Sequence, residues 1–288
     1  MSDHNPLAPL GDLSKSAAAL IDKVSDAIGG IFKPWQIVRV ARAEAEASLI
    51  QAESQIQVTD LHRRAGRRFI EEEAKKQLNI EAITAKAIPL LEEKSAPQNI
   101  ADDWITNFFD KSRIISDSDM QQLWSRVLAG EANSSGAFSR KTVNLLADLD
   151  KFDAELFTKL CGYSWTLGNR VGPLIFDTQE EIYTRSGLKF AGLIHLTSLG
   201  FIQFQSSGFK RLKLPKNLIA SYYGRPLSLT FQQEEGNELA IGEVIFTLAG
   251  HQLASVCKPS PVDGFFNFIH DRWANMALVP KRQTDFET

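Results

Sequence analysis

The chain has 288 residues, 43% of them apolar and 23% charged, with a formal net charge of -3. That balance excludes wholesale disorder and a globally basic nucleic-acid binder, and leaves room for local basic patches. The length suits roughly two domains, or one domain with an extended arm.

The first residues, Met1-Ser2-Asp3-His4-Asn5-Pro6, lack the basic start and apolar core of a signal peptide. No apolar run reaches the roughly 18 residues a spanning helix needs. The expected location is the cytoplasm, with peripheral attachment to a membrane open.

Asp12 is placed to cap a helix running to about Gly29. Its apolar positions include Leu20, Ile21, Val24 and Ile28, with Ala17, Ala18 and Ala19 as small residues. Such a face either lies on a bilayer or packs on a partner. The polar face carries only Lys15 and Lys23, offset by Asp12, Asp22 and Asp26, which favours packing.

From Trp35 to about Leu78 the pattern is helical and long. Ala, Glu and Arg dominate, and no proline falls between Pro34 and Pro89. Such a helix would extend about 60 Å or more. Strict heptads are absent, so the expectation is a protruding arm that self-associates. Gly66 is its weak point and Asn79 its expected break. Within it, His62-Arg63-Arg64-Ala65-Gly66-Arg67-Arg68 is the densest basic cluster. Arg63 stacks on Arg67 and Arg64 on Arg68, one turn apart. Four guanidiniums on nearby surfaces suit phosphate or an anionic headgroup. The competing reading is a ladder of i,i+4 pairs with Asp60, Glu71 and Glu72.

Beyond the linker Ser95-Ala96-Pro97-Gln98-Asn99, helices are predicted at about 100–113, 117–130, 139–148 and 150–167. They carry Trp104, Phe108, Phe109, Trp124, Phe138, Phe152, Phe157 and Trp165 as a helical core. Asp117 is the predicted N-cap of the second, and Gly130 its stop.

This part of the chain carries a resemblance. The run from Asp117 to Asn133 reads D-x-x-M-Q-x-L-W-x-x-x-L-A-G-E-x-N. With Asp103-Trp104-Ile105-Thr106-Asn107-Phe108-Phe109-Asp110-Lys111 before it and Ser135-Gly136-Ala137-Phe138-Ser139-Arg140-Lys141-Thr142 after it, it resembles a bacterial family known only as a domain of unknown function. The resemblance spans about Leu13 to Ala254. Relatives with a similar N-terminal segment occur among phage-defence and abortive-infection proteins. The resemblance therefore implies a context, and no catalytic residues.

After Gly172-Pro173 the character changes. Helical segments near Thr178–Tyr183 and Leu188–Leu199 precede Phe201–Gln205, a turn at Ser206-Ser207-Gly208, and Phe209–Leu214. Helix, helix and hairpin outline a winged helix. Lys210, Arg211 and Lys213 would then form a basic wing. The preceding helix is mostly apolar, which ranks nucleic acid below other partners. Strands follow at Leu227–Phe231 and Leu239–Phe246, and Thr247 is placed to cap a last helix.

Cys161 and Cys257 sit in apolar surroundings and read as buried free thiols. His270 beside Asp271 invites a catalytic reading, but neighbours in sequence do not face each other and no nucleophile accompanies them. The histidines are scattered and no glycine-rich phosphate loop is present, so no metal, no cofactor and no enzymatic activity are expected.

The expected fold is mainly α: a leader and amphipathic helix over 1–34, a long helical arm over 35–95, a helical domain over 96–172, and a winged-helix-like α+β module over 173–288. The expected function is a non-enzymatic sensor or scaffold in anti-phage defence. Its expected partners are a second copy of the chain, an anionic membrane surface and a companion defence protein. The alternative is a DNA-binding regulator.

Overall fold

The computed structural model describes residues 14–28 and 60–281. Asp12, the leader, and most of the helix expected over 35–78 lie outside those residues. The described chain divides into two compact units, one ending at Ala147 and the other beginning at Asp148.

The first unit is helical. It comprises α1 (Lys15–Ala27), α2 (Asp60–Ala87), α3 (Asp102–Ser112), α4 (Ser118–Asn133) and α5 (Arg140–Ala147), with single 3-10 turns at Ile88–Leu90 and Pro97–Asn99. Ser14 caps α1, accepting from the Ala17 amide at 3.2 Å. Asp117 caps α4, accepting from Asp119 and Met120. Gly130 does not stop α4, which continues to Asn133. Nor does Asn79 break α2. Its amide donates to the Arg113 carbonyl at 2.9 Å, so its polar group is satisfied without leaving the helix. Trp104, Ile105, Phe108, Leu123, Trp124, Val127 and Leu128 fill the core. Phe108 meets Trp124 edge-to-face with centroids 5.1 Å apart, and the Trp104 indole N–H donates to the Phe138 carbonyl.

The second unit mixes helix and sheet, which corrects the mainly-α expectation. About 52% of the structure is helical and 19% is strand, an α+β fold. The elements are α6 (Lys151–Cys161), β1 (Ser164–Leu167), β2 (Arg170–Pro173), α7 (Glu181–Thr184), α8 (Phe190–Ser198), β3 (Ile202–Leu214), β4 (Asn217–Tyr222), β5 (Arg225–Thr230), β6 (Asn237–Phe246), α9 (Leu248–Ala254) and α10 (Phe265–Asn275). One antiparallel sheet has the order β2-β1-β4-β5, and β3 pairs with β6 in a second.

The helix expected over 150–167 ends at Cys161, and Trp165 lies instead in β1. The winged-helix outline also fails. Residues 202–214 form one strand, not a hairpin, and they pair with β6. Gly208, at φ 76, sits at an irregularity in that ladder facing Gly242, at φ 94. A local turn signal is absorbed there as a bulge, because a long partner strand satisfies both of its flanks. Phe152, expected in the core, is 66% exposed. The second unit's core is aromatic: Phe157, Tyr163, Trp165, Tyr183, Phe201, Phe265 and Trp273 are fully buried.

Candidate functional site

The four apolar positions singled out on α1 divide by burial. Leu20 and Val24 are closed to solvent, and Ile21 and Ile28 are half-buried. The helix packs on the Pro97–Asn99 turn and on α3, and Lys23 Nζ pairs with Asp102 Oδ1 at 2.5 Å.

The basic cluster lies on the solvent-facing part of α2. Among its described residues no side chain is buried before Ile80, whereas Ile80, Ile83, Thr84 and Ala87 enter the core. Arg63, Arg64, Arg67 and Arg68 are all exposed. Two of them belong to the ladder weighed above. Arg64 Nε lies 3.0 Å from Asp60 Oδ2, and Arg68 Nε lies 3.4 Å from Glu72 Oε1. These side chains remain 71% and 76% exposed, so the pairs hold weakly and leave guanidinium donors facing water. Phe69 is 65% exposed and Leu61 64%. Phe69 lies about three turns before Ile80 on the same helix face, so the buried stripe of α2 continues into solvent.

The other end of α2 is held by polar bonds. Asn79 Oδ1 accepts from Gln121 Nε2 at 3.2 Å, which also donates to the Ile115 carbonyl at 2.9 Å. Lys86 Nζ donates to Gln121 Oε1 at 2.8 Å and to Ser118. Burial pulls the Lys86 ammonium below its ordinary pKa, opposed by the carboxylates of Asp119 and Asp117. Burial raises the Glu81 carboxyl, offset by its hydrogen bond from Gln77.

The family-like segment supplies structural contacts throughout. Asp117 caps α4, Gln121 ties it to α2, and Trp124 is core. Glu131 accepts from the Gly136 and Phe138 amides. Asn133 donates to the Leu90 carbonyl and accepts from the Glu92 amide.

In the second unit, Lys210, Arg211 and Lys213 lie along β3. Lys210 Nζ pairs with Glu238 at 3.1 Å. Arg211 donates to the Leu167 carbonyl, and burial and then Arg170 lower its pKa. Lys213 is exposed, with φ 58. His270 Nδ1 lies 3.5 Å from Asp271 Oδ1, closer than sequence adjacency suggested, on a side chain 12% exposed.

A second histidine–carboxylate pair escaped the sequence reading. His195 Nε2 lies 2.6 Å from Asp153 Oδ1. Asp153 is buried and also closes a capping box with Asp150 at the start of α6. The carboxylate orients the imidazole, whose side chain stays 44% exposed. The partners come from different helices, and no local spacing joins them. A shallow cavity of about 410 Å³ lies where Phe231, Asn237 and Met276 meet. Among the described residues, no cluster of three or more His, Cys, Asp or Glu is arranged to hold a metal ion. No described helix is long and apolar enough to cross a membrane.

A family model described as "Protein of unknown function (DUF2806)" matches residues 63–270. No curated protein and no solved structure matches the chain.

Proposed function

We propose that this chain, which belongs to the DUF2806 family of proteins of unknown function, is a non-enzymatic sensor or scaffold that attaches to an anionic surface through the solvent-facing half of α2. The observation that carries this reading is the exposed quartet Arg63, Arg64, Arg67 and Arg68 on a helix whose described residues enter a core only from Ile80 onward. Guanidiniums present planar forks of donors that match phosphate oxygens. The surface we assign is an anionic membrane, met peripherally and without insertion of Leu20 or Val24, since both are internal to the first unit.

The exposed continuation of the α2 stripe at Phe69 supports self-association. An oligomer presents several arginine faces at once, which turns weak individual contacts into firm attachment. The setting we assign is bacterial anti-phage defence, with a companion defence protein as a further partner. That setting rests on what the resemblance read in the sequence implies.

The test is flotation of the full chain with anionic and with neutral vesicles, beside a variant carrying Arg63→Gln, Arg64→Gln, Arg67→Gln and Arg68→Gln. The wild type should float with anionic vesicles alone, and the variant with neither. Equal flotation of both proteins, or none with either vesicle, rejects the reading.

A further inference from the structure

Cys161 and Cys257 are 96 residues apart in sequence. The fold nevertheless sets the segments that carry them against each other, with the Cys257 thiol near enough to act on that of Cys161. Cys161 is the last residue of α6 and is 3% exposed. Cys257 follows α9, is half-buried, and donates its amide to the Leu253 carbonyl at 3.1 Å.

The meeting is built into the backbone. Tyr222 donates its hydroxyl to the carbonyl of Gly162, beside Cys161, at 2.7 Å. The same hydroxyl accepts the amide of Val262 at 2.7 Å. One phenol thus clamps the end of α6 to the segment that follows Cys257. The approach is close: a Cβ on Gly162 would lie 3.0 Å from the Ser260 carbonyl oxygen.

We infer that Cys161 and Cys257 form a reversible redox site, a dithiol that a low-molecular-weight disulfide oxidises to an intramolecular disulfide. Two thiols on segments clamped this closely can reach bonding distance by side-chain rotation and small local shifts. The more exposed Cys257 reacts first. Its thiolate attacks one sulfur of the oxidant, R–S–S–R, and displaces RS⁻, giving a mixed disulfide. The Cys161 thiol then gives up its proton and attacks the Cys257 sulfur, displacing the second RS⁻. The two protons lost by the protein appear on two RSH. The protein dithiol is oxidised by two electrons and the small disulfide is reduced by two.

Burial, reinforced by the neighbouring Cys257, holds the Cys161 thiol well above its usual pKa. The thiolate is the nucleophile, so ring closure is slow at neutral pH and speeds up toward alkaline pH. In a strongly reducing compartment the pair stays as two thiols.

The experiment equilibrates the full chain in buffers of graded reduced and oxidised glutathione. Remaining thiols are then alkylated, and unreduced peptides are mapped by mass spectrometry. We expect one crosslinked peptide pair joining Cys161 to Cys257, loss of both free thiols within a monomer, and full reversal by dithiothreitol. The oxidised protein should melt several degrees higher, because the closed loop is long. Cys161→Ser should stop at a glutathione adduct on Cys257. The inference is overturned by a lasting adduct on Cys257 in the wild type, by crosslinks only between copies, or by two thiols that persist at the most oxidising ratio. The wild-type mapping decides it even if a variant does not fold.

Discussion

Glu131 draws the chain after α4 back onto itself by receiving the Phe138 amide at 2.9 Å on one carboxylate oxygen and the Gly136 amide at 2.7 Å on the other. Glu131 is 3% exposed and Phe138 2%, so the Phe138 amide has no water to replace the carboxylate, while the Gly136 amide lies nearer the surface. Glu131→Ala should cost about 2–4 kcal/mol, since it leaves the buried Phe138 donor, and with it the part-buried Gly136 donor, without a charged acceptor. Urea unfolding followed by circular dichroism measures this. A cost below about 0.5 kcal/mol would sink the assignment.

Gly242 backs directly onto Ile175 in the second unit. A Cβ there would lie 2.1 Å from the Ile175 carbonyl oxygen, on a residue with φ 94. The Glu243 amide donates to that same oxygen at 2.6 Å, so the backbone cannot yield without breaking the bridge. Gly242→Ala should destabilise by about 3 kcal/mol or more and lower the soluble yield. Gly187→Ala is the control. It has φ 82 but nothing within 4 Å of an added Cβ, so only the backbone strain of about 1 kcal/mol applies. Equal thermal shifts for the two would contradict the steric account.

Tyr222 should make the protein alkali-sensitive. Burial pushes its phenol from 10.0 up to about 12. Below about pH 10 the phenol is protonated in both folded and unfolded chains, and its contribution is fully present. Between about pH 10 and 12 the unfolded chain ionises first, so stability falls as pH rises. Tyr222→Phe should remove that share of the alkaline loss. It should also cost about 1–3 kcal/mol at neutral pH, by freeing the Gly162 carbonyl and the Val262 amide. Denaturation midpoints at pH 8 and pH 11 for both proteins provide the comparison.

Neutralising the arginine quartet should leave folding almost untouched. Arg64 and Arg68 make exposed i,i+4 pairs, each worth about 0.3–0.5 kcal/mol. The fourfold Arg→Gln variant should therefore unfold within about 1 kcal/mol of the wild type. Wild-type vesicle binding should weaken steeply with added salt, as expected for contacts between exposed charges. A variant that fails to fold would mean the arginines brace the helix.

Local chemistry was readable in the sequence, and chemistry that closes over distance was not. The Asp117 and Thr247 caps bond amides within three residues, so sequence alone places them. The β1–β2 turn was readable too, since Gly168-Asn169 is a hairpin dipeptide. The helix predicted over 150–167 runs up to that dipeptide and leaves no room for the strand before it. The β4–β5 turn had no such signal. Tyr223 and Gly224 both take positive φ, at 48 and 78, where Asn-Gly is the usual pair. The end of α6 is set by Gly162, whose carbonyl is taken by Tyr222, 60 residues away. At the candidate site the arginines announced themselves by composition. The His195–Asp153 and Cys161–Cys257 pairs are joined only by the fold.

A helix whose described turns pass from water into a core is a built-in gauge. Amide exchange along the described part of α2 should slow from Asp60 toward Ala87, because the outer turns bury no side chain and the inner turns open only with the unit. Helical turns that bury no side chain draw little stability from packing. Whatever settles on the arginine face must therefore also tighten those turns. Docking would then register as slowed exchange at the rim of the helix, with the inner turns as an internal standard.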